Sequence, residues 1–279
     1  MDVHATAEPL YTGGSRHDLF LIHPAGGSIF GYRQLARHSA CPASLHAIAF
    51  PAGLTPPPVS VEEFAEHYLD AVRAVRPTGP YLLGGHSFGG TVAFEMALRL
   101  QRAGERVEGL FLFDSLPPES YRDTPRTHAE ALRAAPVLLR SLAPRTRPPA
   151  QGDPLPSTIE EAVDLVRLPC WTDVSVRAYE KFLGAWMDHC AALARYRPAS
   201  AFTGPLTVLA AREPRPEVFA LMRVADIPMS HWSAHVDGPV TVHDVDGDHY
   251  SMFGRSATVR ALAAYFDGVM SGYAELLTA

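Results

Sequence analysis

The sequence has little of the features that mark several specialised protein classes. Its 279 residues include only three cysteines, Cys41, Cys170 and Cys190, which are widely spaced and form no CxxC pair. This spacing gives no basis for a disulfide framework or a structural metal site. We therefore expect a reducing, cytoplasmic setting and no bound metal.

Long hydrophobic runs are also missing. The chain contains no stretch of about 18 consecutive apolar residues, so we expect no membrane-spanning helix. Residues 1–16 are mixed and polar, and the first apolar run covers only residues 19–22. A secretory signal peptide is therefore not predicted.

Positive charge is in deficit over the whole chain. The 24 lysines and arginines stand against 30 acidic residues, which gives a net charge of −6. A chain of this charge offers no electrostatic footprint for nucleic acid. With 47% hydrophobic and 19% charged residues, the composition is typical of one globular domain with insertions.

Short apolar strands alternate with helical patterns along most of the chain. Strands are predicted at 19–23, 44–50, 81–85, 108–113, 205–211 and 240–245. Helices are predicted at 29–38, 61–75, 91–103 and 256–270. This alternation predicts an α/β fold with a mostly parallel twisted sheet covered by helices on both faces.

The alternation stops between residues 116 and 200. This segment has no convincing strand and two amphipathic helical patterns, 159–166 and 175–194. A long insertion between two strands of one sheet is usually functional. We therefore divide the chain into an N-terminal leader (1–17), a core (18–115 and 201–279) and a helical lid (116–200).

Ser87 lies in the motif G-x-S-x-G formed by residues 85–89. The motif follows an apolar strand and precedes a helix, which is the position of the nucleophile elbow of serine hydrolases. Glycines on both sides allow the tight turn. Ser87 is our candidate nucleophile, and a glycine-rich turn with a spectator serine is the alternative.

A serine nucleophile needs a base, which is nearly always histidine. Of the 13 histidines, His249 follows the last predicted strand, the usual place of the base in this chain order. His231, His235 and His243 are better explained as packed or surface residues. His86 is next to the serine and is predicted to pack rather than to act as the base.

The carboxylate that orients the base has two candidate positions. The loop after strand 205–211 contains Glu213 but no aspartate. Asp114 ends strand 108–113, at the carboxyl edge of the sheet, where active sites of open α/β sheets lie. We choose Asp114 and keep Glu213 as the alternative, while a simple turn-capping role for Asp114 also fits its neighbours.

An oxyanion hole requires two backbone N–H donors, one after the nucleophile and one after the first core strand. These criteria select Phe88 and Ala25. The glycine-rich loop 24–28 lacks the spacing of dinucleotide-binding and P-loop motifs, so a phosphate cradle is the weaker interpretation.

The predicted lid carries large apolar residues at helical spacing. We name Trp171, Phe182, Trp186 and Met187 as substrate-contacting candidates, together with Leu183. Such residues are also typical of a helix core. Residues 119–147 hold six arginines against three acidic residues, a local charge of +3 that would attract an acidic partner or would simply form a solvated face.

Four sequence blocks resemble the chain-releasing thioesterase domains of nonribosomal peptide and polyketide synthases. They are residues 21–27 (LIHPAGG), 84–90 (GGHSFGG), Asp114 and 247–250 (GDHY). The resemblance covers about residues 18–270 and is poor in the lid. It implies an α/β-hydrolase fold and transfer of an acyl chain from a carrier protein's phosphopantetheine arm to Ser87.

The resemblance also bears on the partners and on the type of thioesterase. It implies an acyl or peptidyl carrier protein and a hydrophobic chain as partners, no cofactor of the enzyme's own, and release by hydrolysis or macrocyclisation. We also consider a homodimer. An aspartate after the strand that follows the elbow is typical of release enzymes. The alternatives are a stand-alone type II editing thioesterase, a general carboxylesterase, or a non-catalytic interaction module.

Overall fold

The computed structural model describes residues 4–51, 53–54, 56–142, 156–166 and 172–278. These residues form one seven-stranded sheet. The strands are β1 Ala7–Tyr11, β2 Asp18–Ile22, β3 Ser44–Ile48, β4 Tyr81–His86, β5 Val107–Phe113, β6 Leu206–Ala211 and β7 Val240–Val245.

Helices connect the strands and fill the segment between β5 and β6. The α-helices of the described residues are α1 Phe30–His38, α2 Val61–Val75, α3 Phe88–Arg102, α4 His128–Ala131, α5 Ala135–Leu142, α6 Ile159–Val166, α7 Asp173–Arg195, α8 Glu217–Leu221, α9 Ser251–Gly254 and α10 Ser256–Thr278. Short 3-10 helices cover Pro118–Tyr121, Leu132–Ala134 and Met229–Ala234. In the part of the chain that the structure describes, no helix is long and apolar enough to cross a membrane.

The strand order is β1-β3-β2-β4-β5-β6-β7, and every neighbouring pair except β1 and β3 is parallel. The central strands β4 and β5 are buried along their whole length because helices cover both faces. Successive side chains of a strand point to opposite faces. The prediction of a mostly parallel sheet between helices is confirmed.

Two hydrophobic cores lie on the two faces of the sheet. Phe20 and Ile22 of β2 pack with α2 and α3 in the first core. Leu19 and Leu21 pack with α1 and α10 in the second. Alternate side chains of one strand thus pack against helices on opposite faces of the sheet.

The sheet begins earlier in the chain than the predicted boundary at residue 18. Strand β1 lies within the segment assigned to a leader and pairs antiparallel with β3, with Ala7 opposite Ile48. The strand is short and contains Pro9, which cannot donate to a ladder and is confined to edge strands. A five-residue edge strand with a proline has too little of the apolar alternation that predicts a strand.

The segment between β5 and β6 is helical in its described residues, as predicted. Its helices α5, α6 and α7 enclose a third hydrophobic cluster that includes Leu138, Val163 and Leu183. The C-terminal end of α7 belongs to the first sheet core, where the Tyr196 hydroxyl donates a 3.0 Å hydrogen bond to Glu95. Helix α7 therefore spans both the lid and the sheet.

Candidate active site

Ser87 occupies the sharp turn between β4 and α3. Its φ of 56° and ψ of −122° lie in a region that side-chain-bearing residues rarely adopt. The flanking glycines make this turn feasible, because a Cβ at Gly89 would collide with the Ile22 carbonyl oxygen and one at Gly85 with the backbone of Gly89. A strained turn of this kind presents a serine side chain at the edge of the sheet.

Asp114 follows β5 and also has a positive φ, 43°. The residue is 3% exposed, and its carboxylate accepts two hydrogen bonds, from the Ala211 N–H at 3.0 Å and from the imidazole of His249 at 2.7 Å. Burial disfavours ionisation, but the hydrogen bond and charge of His249 and the Ala211 N–H outweigh it and hold the pKa of Asp114 below its ordinary value. Asp114 is therefore a buried, oriented carboxylate.

His249 lies on the loop between β7 and α9. The loop is fixed by Asp248, whose Oδ1 accepts 2.8 Å hydrogen bonds from the N–H groups of Tyr250 and Ser251. The His249 ring packs between Phe219 and His86, with ring centroids at 4.7 and 4.6 Å. Its Nδ1 faces Oδ2 of Asp114. The other ring nitrogen, Nε2, is left for a reaction partner.

Glu213, the alternative carboxylate, has a different partner. It is about half exposed and lies 3.8 Å from the guanidinium of Arg255. Glu213 and Asp114 both border a pocket of about 340 Å³ beside His249, yet the carboxylate that accepts the hydrogen bond of the imidazole is that of Asp114. The geometry thus favours Asp114 over Glu213.

His86 packs beside the site, as its position before the serine suggested. The ring is 6% exposed and lies against His249 and Phe253. Burial, together with the nearby His249, lowers the pKa of His86 to about 3. His86 is therefore a neutral packing group at physiological pH.

The loop after β2 forms a four-residue turn that the Gly27 N–H closes on the Pro24 carbonyl at 3.0 Å. Gly26 stands at the third position of the turn with φ 96°, which a type II turn requires. Ala25, at the second position, lines the same cavity as Ser87. Phe88 is the first residue of α3, so its N–H has no acceptor within the helix.

A cavity of about 570 Å³ joins Ser87, His249 and Ala25 to the lid. Its lining is mainly apolar and aromatic. It includes Phe30, Tyr121, Leu138, Phe182, Trp186, Cys190, Leu193, Val218, Phe219, Met222 and Tyr250. A cavity of this size holds a small organic ligand or an acyl chain.

The lid candidates divide between the cavity and the lid core. Phe182 and Trp186 line the cavity and also pack in the third cluster, so they lie between the two. Met187 is not among the residues that line the cavity: it is 1% exposed and packs with Leu183 in the third cluster. Positions 182 and 186 share one face of α7, whereas 183 and 187 face the neighbouring lid helices. Trp171 lies outside the described residues.

The arginine-rich segment is partly paired. Arg122 lies 3.1 Å from Glu119, and Arg140 lies 3.9 Å from Glu217. Arg145 and Arg147 lie outside the described residues. Arg126 and Arg133 are exposed and have no ion pair among the described residues, so two of the four described arginines of the segment are paired and two are open.

His189 was not singled out from the sequence, although it contacts the loop that carries Ala25. It is fully buried on α7 and accepts a 3.1 Å hydrogen bond from the Gly26 N–H. One histidine among 13, within a helical pattern, carries no sequence signal of this contact. Within the described ranges, no group of three or more His, Cys, Asp or Glu side chains is placed to hold a metal ion.

Comparison with known proteins identifies the family. Residues 17–266 match the family model "Thioesterase domain". Chondramide synthase cmdD of Chondromyces crocatus is 28% identical over 91% of this chain. The matched region makes up only 7% of the length of that synthase. CymA of Salinispora arenicola, described as a probable non-canonical nonribosomal peptide synthetase, is 39% identical over 40% of the chain, which corresponds to 2% of its length.

Solved structures agree with this assignment. The Vlm2 thioesterase domain is 27% identical, with a TM-score of 0.66 over 94% of this chain and 96% of that domain. A four-domain nonribosomal peptide synthetase, holo-AB3403, gives a TM-score of 0.76 at 24% identity. The match covers 96% of this chain and 20% of the synthetase chain, and it supports the assignment of the fold alone. The expected α/β-hydrolase fold is confirmed, and the chain belongs to the thioesterase domain family.

Proposed function

We propose that the chain is a serine thioesterase that releases an acyl or peptidyl chain from the phosphopantetheine thioester of a carrier protein. The observation that carries the proposal is the hydrogen bond between His249 and the buried Asp114 beside a cavity that Ser87 also lines. A nucleophile, a base and an orienting carboxylate in this chain order are typical of α/β-hydrolases.

In the first half of the reaction, Nε2 of His249 accepts the proton of the Ser87 hydroxyl while Oγ attacks the thioester carbonyl. The tetrahedral intermediate collapses with cleavage of the C–S bond. His249 returns the proton to the departing pantetheine thiolate, which leaves as a thiol. The products of this half are an acyl ester on Ser87 and a free carrier thiol.

In the second half, His249 removes a proton from the incoming nucleophile, which attacks the ester of Ser87. Water as the nucleophile gives a free acid, and a hydroxyl or amine of the chain itself gives a ring. In both cases the proton returns to Oγ of Ser87. Asp114 keeps the imidazole in the tautomer that both halves require.

The developing oxyanion is stabilised by the N–H groups of Ala25 and Phe88. Phe88 begins α3, so the positive end of the helix dipole adds to its N–H. Backbone donors held in place before the reaction stabilise the transition state without reorganisation. We assign these two residues to the oxyanion hole.

The cavity supports a hydrophobic, uncharged substrate chain. The charged groups on its lining already have partners: Asp248 caps the turn before α9, His249 pairs with Asp114, and Arg255 lies near Glu213. The related Vlm2 domain was solved with a dodecadepsipeptide bound. On this proposal the protein needs no cofactor of its own, because the phosphopantetheine arm is part of the substrate.

The position of Asp114 favours release over editing. It follows β5, the strand after the elbow helix, which is the arrangement that the sequence resemblance associates with release enzymes. The synthase relatives also carry the matching segment within long multi-domain chains. A carrier protein is accordingly the proposed macromolecular partner.

Labelling and turnover test the proposal. A fluorophosphonate should label the wild-type protein at Ser87 and leave Ser87→Ala unlabelled. An acyl N-acetylcysteamine thioester should be turned over faster than the matching oxygen ester, whereas a strong preference for the ester would identify a carboxylesterase. Labelling at another residue, or none, would refute the serine mechanism. Mass spectrometry of the product distinguishes hydrolysis from ring closure.

A further inference from the structure

Helix α7 of the lid contacts the turn of residues 24–27 through one buried side chain. This turn carries the proposed donor Ala25 and is called the oxyanion loop below. Nδ1 of His189 accepts a 3.1 Å hydrogen bond from the N–H of Gly26. This N–H belongs to the central peptide of the turn that Pro24 and Gly27 close. The lid helix therefore holds the peptide group next to Ala25.

The ring of His189 also contacts the second oxyanion segment. It stacks on the Phe88 ring with a centroid distance of 4.5 Å and an interplanar angle of 13°. Phe64, Phe50 and His23 surround it, with centroids at 5.0, 5.2 and 5.1 Å. His189 thus contacts both backbone segments of the proposed oxyanion hole. It binds Gly26, the neighbour of Ala25, and it stacks on the side chain of Phe88.

A second contact between α7 and the loop reinforces the first. The space that a side chain would need at Gly26 is occupied by the ring of Phe182, so a Cβ there would overlap the ring. Phe182 and His189 are two helical turns apart and share one face of α7. The Gly26 peptide is fixed by a hydrogen bond on one side and by ring contact on the other.

The protonation state of His189 suits an acceptor role. Burial, together with the neighbouring His23, places the pKa of His189 well below its ordinary value. The neutral ring accepts at Nδ1 and carries its proton on Nε2, which has no hydrogen-bond partner among the described residues. The contact with Gly26 is therefore independent of pH near neutrality.

We propose that His189 is a positioning residue of the oxyanion hole, which couples lid helix α7 to the two backbone segments that supply its donors. The inference rests on the proposed serine mechanism and deepens it. His189 contacts neither Ser87 nor His249 in the hydrogen bonds and ring contacts of the described residues. Its effect passes through the orientation of the Ala25–Gly26 peptide and through the position of Phe88.

Two matched substitutions separate the acceptor of His189 from its bulk. His189→Asn keeps a hydrogen-bond acceptor at the place of Nδ1. His189→Leu introduces a side chain of nearly the same shape as asparagine but without an acceptor. Loss of one complete oxyanion donor costs about 10²–10³ in rate, so a displaced donor in His189→Leu should lower kcat by about 10–100-fold. We expect little change of KM in either variant and recovery of most of the rate in His189→Asn.

A transition-state analogue provides a readout that a purely structural role would not move. An acyl trifluoromethyl ketone adds to Ser87 and places its oxyanion in the hole. Its affinity should fall in His189→Leu by the same factor as kcat/KM, whereas KM for the N-acetylcysteamine thioester stays near the wild-type value.

Three results would overturn the inference. Equal losses in the two variants would mean that the acceptor is irrelevant, and unchanged analogue affinity in a folded His189→Leu protein would mean that the hole is intact. If His189→Leu does not fold, a wild-type analogue affinity in His189→Phe, which keeps the aromatic ring, would have the same meaning. Ser87→Ala tests the underlying mechanism separately, because its full activity would refute the proposed function whatever the His189 variants do.

Discussion

Asp114 Oδ2 and His249 Nδ1 are joined by a 2.7 Å hydrogen bond, although the two residues are 135 positions apart in the chain. Asp114 ends β5 and His249 follows β7, so both lie at the carboxyl edge of the parallel sheet. The Ala211 N–H, at the end of the intervening β6, binds the other carboxylate oxygen. Three consecutive strands thus position one hydrogen-bonded pair.

This arrangement predicts that the acid of the site is Asp114. Asp114→Asn should lower kcat by about 10³–10⁴, because an amide reverses the tautomer preference of the imidazole while keeping the shape. The matched variant is Glu213→Gln, which alters a half-exposed carboxylate near Arg255. We expect its kcat to stay within about threefold of the wild type, since surface pairs contribute little. Steady-state kinetics with one thioester would check both, and the opposite pattern would move the acid to Glu213.

The catalytic candidates were accessible to sequence reasoning because each is tied to a strand end. Ser87 follows β4, Asp114 follows β5 and His249 follows β7, and parallel strands place these ends at one edge. Their proximity follows from the order of strands and helices alone. No knowledge of side-chain packing was needed to select them.

The lid residues were less accessible, since helical spacing shows which residues share a face but not what that face contacts. Met187 faces the lid core rather than the cavity. His189 faces the oxyanion loop because α7 runs from the lid onto the sheet. These assignments depend on how a 23-residue helix is placed against two hydrophobic clusters, the first and the third, which is a property of tertiary packing.

Two adjacent residues of α7 test the division between cavity and lid core. Trp186→Ala should raise KM for a long-chain acyl thioester by about tenfold, as expected if about 55 Å² of apolar contact with the chain is lost. KM for a two-carbon acyl thioester should change little. Met187→Ala should leave both KM values unchanged and lower the free energy of unfolding by about 2–5 kcal/mol. A chain-length effect in Met187→Ala, with none in Trp186→Ala, would contradict the assignment.

The buried histidine next to Ser87 predicts a dependence of stability on pH. The pKa of His86 is about 3 in the folded protein, against 6.5 for an ordinary histidine. Below pH 6.5 the unfolded chain therefore binds a proton that the folded chain does not, so stability is complete above this pH and falls as the pH decreases. From pH 7 to pH 5 this residue should cost about 2 kcal/mol.

Urea unfolding of His86→Phe at the two pH values measures this contribution. The variant keeps a ring against Phe253 but has no titrating group, so its loss of stability should be smaller than that of the wild type by about 2 kcal/mol. His67→Gln, on the exposed face of α2, is the control and should retain the wild-type dependence. Equal pH dependence in wild type and His86→Phe would show that folding does not lower the pKa of His86.

The contact between Gly26 and Phe182 predicts a rescue. Gly26→Ala should lower kcat at least tenfold, because the new methyl overlaps the Phe182 ring and because φ 96° costs an L-residue about 1–2 kcal/mol. In Gly26→Ala/Phe182→Ala the overlap is gone and only the backbone strain remains, so the loss of kcat relative to Phe182→Ala should be smaller than the loss that Gly26→Ala causes in the wild type. Gly268→Ala, at an open position of α10, is the matched control and should leave kcat unchanged. A double-mutant cycle on kcat gives the coupling between Gly26 and Phe182, and additive losses would mean that the Phe182 ring does not constrain the loop at Gly26.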